Sequence, residues 1–218
     1  MNSYTTPLGE VRIGWMGHAS LILEWNGKVI YSDPYSEVAD YAGKPAADLI
    51  LITHNHYDHY DPAAFCHVET PATKFVVSQN VGAVDARYQV LENGESTEWE
   101  GIRIAAVPSY NIERRNEEGN HFHPQGVGNG YVLDFGGFTL YIAGDTEPVP
   151  EMEALPALDV ALLPKNLPYT MTDEEFIGLG NRLQPKYLYP IHFFELDYDA
   201  LRAAIDSKIQ LVNPKKYD

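Results

Sequence analysis

Residues 48–61 read DLILITHNHYDHYD, and the organisation of the whole chain follows from them. Leu49, Ile50, Leu51 and Ile52 form a short apolar run of the kind expected for a strand buried on both faces. It runs straight into His54-Asn55-His56-Tyr57-Asp58-His59, which places four potential metal ligands within six residues. In an extended segment, residues two apart point to the same side, so His54 and His56 can grip one ion. If the chain then turns, Asp58 and His59 face a neighbouring position. Imidazole nitrogen with carboxylate oxygen suits zinc, manganese or iron. The chain's one cysteine, Cys66, rules out a thiolate-rich site.

Upstream, VRIGW (11–15), SLILEW (20–25) and VIYS (29–32) read as strands, with Asn26-Gly27 as a hairpin turn. Downstream, FVVS (75–78) reads as a strand and residues 80–89 as a helix capped by Asn80. The second half repeats the theme. IRIAAV (102–107), YVLDF (131–135), FTLYIA (138–143), ALDVALLP (157–164), KYLYPIH (186–192) and IQLV (209–212) are expected strands. Gly136-Gly137 is expected as a tight hairpin turn. Thr172 opens TDEEF, an N-terminal helix signature running to about Leu183, and residues 197–205 suggest a last helix. Two packed sheets with helices outside satisfy this order, within a single domain spanning residues 1–218.

The chain is acidic, with 15 Lys and Arg against 31 Asp and Glu and a net charge of −16. Phosphate backbones are bound mainly by clusters of Lys and Arg, so a nucleic-acid partner is not expected. No apolar run reaches the roughly 18 residues of a membrane span, and the N-terminus lacks the pattern of a secretory signal. Together with the single cysteine, these features point to the cytoplasm. The expected partner is a small-molecule substrate, and self-association into a homo-oligomer stays open. No Gly-x-Ser-x-Gly elbow suggests a serine nucleophile. Cys66, in AAFCH, reads as packed in a helix rather than as a nucleophile. His67 reads as a surface residue.

Further motifs extend the histidine cluster. THNHYDH resembles the His-x-His-x-Asp-His signature of the metallo-β-lactamase superfamily. SDP around Asp33, HPQGVGNGY from His123, AGDT around Asp145 and PIH ending in His192 resemble its other motifs, in order, over residues 11 to 192. GHASLIL, HPxGxGxGY and GDTxxxPEM look closest to small bacterial and archaeal metal-dependent hydrolases of the UPF type. Those are relatives of L-ascorbate phosphate lactonase and N-acyl phosphatidylethanolamine phospholipase D. The resemblance implies an α/β fold (α+β in some schemes), a four-layer αββα sandwich.

It also implies a site. His54, His56 and His123 would hold a first ion, Asp58, His59 and His192 a second, and Asp145 would bridge them. His121, two residues before His123, could serve in its place, although Pro124 and the following glycines match the spacing for His123. Asp33 would orient a ligand imidazole, or else cap the turn before Pro34. His18, in Gly-His-Ala-Ser, would support a ligand, face substrate, or simply pack at a strand end. Ser109-Tyr110-Asn111 precedes a polar loop long enough to form a flap. Lys165 and Tyr169 are candidates for the pocket rim, Lys165 for an anionic group, each equally readable as an ordinary surface residue.

The function so implied is metal-dependent hydrolysis of a small ester, lactone or phosphate ester. Two divalent ions, zinc first with manganese or iron as alternatives, about 3.5–4 Å apart would share a hydroxide nucleophile, with Asp58 and Asp145 as catalytic carboxylates. Redox iron members of the superfamily usually carry a carboxylate where this chain has His56, which favours hydrolysis. The competing expectations are phosphodiesterase or nuclease chemistry, and a metal-binding module without turnover. Nuclease relatives carry a basic arm that has no counterpart here.

Overall fold

The computed structural model describes residues 1–217. Two sheets of seven strands each are stacked face to face. The first runs in sequence order: β1 (Asn2–Thr6), β2 (Gly9–Gly17), β3 (Ser20–Trp25), β4 (Lys28–Ser32), β5 (Leu49–Ile52), β6 (Lys74–Ser78) and β7 (Tyr88–Leu91). Strands β1 to β4 pair antiparallel, then β4 to β7 pair parallel. The second sheet repeats the plan with β8 (Ser96–Trp99), β9 (Ile102–Ser109), β10 (Gly128–Asp134), β11 (Thr139–Ile142), β12 (Val160–Pro164), β13 (Tyr187–Ile191) and β14 (Gln210–Leu211). Here β8 to β11 are antiparallel and β11 to β14 parallel.

Local chemistry accounts for the joints. Asn26 and Gly27 both adopt positive φ, 48° and 77°, which closes the two-residue β3–β4 hairpin with Trp25 opposite Lys28. Gly136 and Gly137 do the same between β10 and β11, where the Phe135 amide donates to the Phe138 carbonyl. Parallel strands need crossovers, and these carry the helices α1 (Pro62–Phe65), α2 (Asp173–Leu183) and α3 (Tyr198–Ala204). A capping box starts α2: the Thr172 hydroxyl accepts from the Glu175 amide, and the Glu175 carboxylate accepts from the Thr172 amide.

The alternation of side chains along the strands sorts the core into three layers. Leu49 and Leu51 of β5, Leu140 and Ile142 of β11, and Val160 and Leu162 of β12 face the space between the sheets. Ile50 and Ile52 point outward beneath Tyr41, Ala64 and Phe65. Tyr141, Ala161 and Leu163 point outward beneath Phe176, Leu179 and Leu201 of α2 and α3. Each Leu or Ile so buried contributes about 1.5–3 kcal/mol. The sandwich is therefore four-layered, with helices over the second sheet and mostly loop over the first.

Three expectations are corrected. Residues 80–89 form no helix: Gly82 has φ +72°, and the Asp85 side chain accepts from the Arg87 amide in a turn that feeds β7. Tyr88 then stacks on Phe75 of β6 with ring centroids 4.2 Å apart, so sheet pairing outweighs helix propensity. Cys66 is exposed at the end of α1 rather than packed, its thiol donating to the Ala63 carbonyl. Strands β1, β7 and β8 join the sheets at positions where no strand was expected. His67 is exposed, as expected. Among the described residues, no helix is long and apolar enough to cross a membrane.

Candidate metal centre

The cluster gathers where strands of both sheets end. After β5 the chain leaves Thr53 and makes a tight turn, with the His59 and Tyr60 amides both donating to the His56 carbonyl. That turn brings His54 and His56 to one side and Asp58 and His59 to the other. From the second sheet, Asp145 follows β11, His192 follows β13, and His123 precedes β10. Gly144, at φ +66°, makes the Asp145 turn feasible, because a Cβ there would lie 2.8 Å from the Asn129 carbonyl.

Donor atoms of His54, His56 and His123 lie within 4.8 Å of one another, as do those of His54, His59 and Asp145, and those of His18, Asp58, His59 and His192. Asp145 sits between the groups. Its Oδ1 is 3.4 Å from His59 Nε2, and its Oδ2 is 3.3 Å from His123 Nε2 and 2.9 Å from His192 Nε2. Yet His54 Nε2, His59 Nε2, His192 Nε2 and Asp145 Oδ1 are all buried and make no hydrogen bond among the described residues. Buried polar atoms are almost always satisfied, so four orphans aimed into one space leave coordination to a cation as their natural partner. The donor set, imidazoles and carboxylates without thiolate, fits divalent zinc, manganese or iron.

Electrostatics favour the ligating form of most of the donors. Burial lowers the His54, His56 and His192 imidazoles below their ordinary range and so favours the neutral, lone-pair form. Burial alone would raise Asp145, but His192 and His59 outweigh it and hold the carboxyl well below the usual range. Burial would likewise raise Asp58, but the His18 hydrogen bond and nearby His59 bring it to about 2. His59 goes the other way: burial would lower it, but Asp145 and then Asp33 raise it well above the ordinary imidazole range.

Second partners fix the rings. The buried Asp33 carboxylate accepts from the Thr53 amide at 2.8 Å, the Thr53 hydroxyl at 2.7 Å and His59 Nδ1 at 2.9 Å. It thus ties the end of β4 to the start of the turn. Sequence reading overlooked two residues with comparable positions. Asn111 Oδ1 accepts from both the His123 amide, at 2.7 Å, and His123 Nδ1, at 2.9 Å. Asn166 Nδ2 lies 3.3 Å from His192 Nδ1. Neither asparagine belongs to a spacing pattern, and both are buried in loops that only the fold brings to the site. His18, Asp33 and His192 are three of the six non-glycine residues with positive φ among those described, so backbone strain concentrates here.

The remaining candidates divide. His18 is at the centre, its Nε2 3.1 Å from Asp58 Oδ2. Tyr169 lines the cavity above the cluster. His121 turns away, its Nδ1 3.3 Å from the Arg114 carbonyl, in a bridge between Arg115 and itself. Lys165 also turns away: its ammonium pairs with Asp173 at 2.7 Å in an adjoining groove. The loop 112–122 is anchored rather than free. The buried Glu147 accepts from the Glu113 and Arg114 amides, and the Arg114 guanidinium spans Glu147 and Glu175.

A two-sheet sandwich carrying this histidine and aspartate cluster at its strand ends defines a class, and the comparisons with known proteins agree. The chain belongs to the beta-lactamase superfamily, whose domain model matches residues 12–192. Among curated proteins it is similar to UPF0173 metal-dependent hydrolases. One from Methanopyrus kandleri is 31% identical over 196 residues, covering 84% of each chain. One from Methanocorpusculum labreanum is 30% identical over 205 residues, covering 90% of this chain and 91% of the relative. A crystal structure described as a metal-dependent hydrolase from Parabacteroides distasonis superposes with a TM-score of 0.91 at 39% identity, covering 99% of this chain and 98% of that one. The chain is thus a member of a family of metal-dependent hydrolases.

Proposed function

We propose that this chain hydrolyses a small ester, lactone or phosphate ester with two divalent cations, zinc first with manganese or iron as alternatives. The reading takes the chain as one domain, since a single core joins the two sheets. One observation carries it: buried Nε2 atoms of three histidines and Oδ1 of Asp145, without hydrogen bonds, converge on one space. His54, His56 and His123 would hold one ion, Asp58, His59 and His192 the other, and Asp145 would serve both.

Divalent ions of this kind lower the pKa of water and polarise a carbonyl or phosphoryl oxygen. The chain's own groups do the rest. Asp58 lines the cavity, where its carboxylate can receive the proton lost by the attacking water, and His18 Nε2 donates to its Oδ2 and holds it in place. His18 lies in the second donor group, but this hydrogen bond assigns it to Asp58 rather than to the ion. Asp33, Asn111 and Asn166 hold the rings of His59, His123 and His192 in register, as metal-bound imidazoles require.

Metal analysis of protein prepared without chelator should find close to two ions per chain. His56→Ala and Asp145→Ala should lower turnover more than about a hundredfold while the far-ultraviolet circular dichroism stays native. Chelation should lower the melting temperature and added zinc should restore it. Protein that carries almost no metal, or variants that keep full turnover, would overturn the assignment.

A further inference from the structure

The cavity above the cluster has a volume of about 500 Å³, a size suited to a small molecule. Its walls are aromatic. Tyr35 and Tyr57 meet edge to face at 6.0 Å, as do Phe122 and Tyr169 at 5.0 Å. Phe193 is stacked on Trp15, and Phe194 lies beside it. Tyr57 and Phe194 are each 76% exposed, the most exposed of the large apolar side chains among the described residues, and both line this cavity. Large rings held at the rim of a concave site mark recognition of an apolar or flat group.

The charges of the cavity point the same way. Apart from the donor cluster, its one charged lining residue among those described is the acidic Glu37, and no Lys or Arg lines it. Lys165, in an adjoining groove, is paired with Asp173, and Arg114 is spent on Glu147 and Glu175. Sites that recognise phosphate use Arg, Lys or backbone amide cradles for the oxygens that the metals leave free. Here the lining offers aromatic rings, three of them tyrosines, with Asn166 and the Glu37 carboxylate, and no cation to neutralise those oxygens.

Resting on the hydrolase reading above, we infer that the substrate is an uncharged carboxylic ester or lactone carrying an aromatic or bulky aliphatic group, and not a phosphate ester. Phe194 and Tyr57 act as specificity-determining residues that grip that group, leaving the scissile carbonyl over the cluster. Water adds to the carbonyl carbon, the C–O bond breaks, and the alkoxide leaves with the proton that the water gave up.

The test uses zinc-loaded full-length protein and three compounds with one leaving group: 4-nitrophenyl butyrate, 4-nitrophenyl phosphate and bis(4-nitrophenyl) phosphate. The butyrate should have the highest kcat/KM. Phe194→Ala and Tyr57→Ala should raise its KM about tenfold, more than they lower kcat, with zinc content unchanged. Calorimetry with the inert uncharged ketone 4-phenyl-2-butanone supplies a readout without turnover. Its affinity should fall about tenfold in Phe194→Ala. A phosphate ester as the preferred substrate, or ketone binding indifferent to Phe194, would overturn this inference and leave the hydrolase reading standing. Metal-loaded protein inert towards all three compounds would overturn both.

Discussion

The loop after β5 brings four donors to the centre from one six-residue stretch, whereas the second sheet brings three from three separate strand ends. The first set is held by local geometry: a tight turn closed on the His56 carbonyl and the single Asp33 carboxylate beneath it. Each member of the second set depends on a partner distant in sequence or on its own turn. His123 leans on Asn111, His192 on Asn166, and Asp145 on the cramped Gly144 turn, where its carbonyl accepts from the Ser109 hydroxyl. One half of the centre is thus a motif, and the other half is assembled by topology.

If that contrast is right, the turn should fail as a unit. Asp33→Ala removes three buried acceptor contacts at once, leaving the Thr53 amide without a partner and His59 Nδ1 with only the Thr53 hydroxyl, 3.3 Å away. Unsatisfied buried groups cost about 1–3 kcal/mol each, so the loss of stability should be at least about 2 kcal/mol, read by urea unfolding. Metal affinity should fall at both proposed positions, because His59 and His54 share the turn. A variant with native stability and full metal content would break the comparison.

The dispersed half should fail one ligand at a time. Asn111→Ala frees the His123 ring but leaves the turn untouched, so one of two ions should weaken by about 10–100-fold. Stepwise metal titration followed by calorimetry would resolve one weakened and one intact binding event. Equal weakening of both would show that the two halves are coupled more tightly than the contacts indicate. The smallest effect is expected at Lys165. Its side chain is largely buried and paired with the half-exposed Asp173 outside the cavity, so Lys165→Ala should leave kcat/KM within about threefold.

Legibility from residues alone followed the same division. His54, His56, Asp58 and His59 stand out because their spacing is the chemistry: neighbours in sequence become neighbours around an ion. The strands β5, β11 and β12 stand out because they are buried on both faces and therefore read as unbroken apolar runs. By contrast β7 and β8 lie at sheet edges and carry mixed sequences such as STEW (96–99), whose pairing is decided by neighbours. The helix expected over residues 80–89 failed for the same reason: sheet pairing and the Tyr88–Phe75 stack determine that segment.

The choice between His121 and His123 shows how far spacing reaches. Both fit a ligand in a short segment before β10. In the folded chain, Asn111 holds the His123 ring among the donors, while the bridge between Arg115 and His121 turns the other ring away. Lys165 and the aromatic cavity are similar cases, since a lone lysine and scattered Tyr and Phe residues carry no period. What residue order alone settled is the donor chemistry and the alternation of strands, because both depend on distances of a few residues. Which ring faces the centre, which cation is already paired, and what lines the space above the cluster depend on residues tens of positions apart. Packing brings those together, and only the folded chain could decide them.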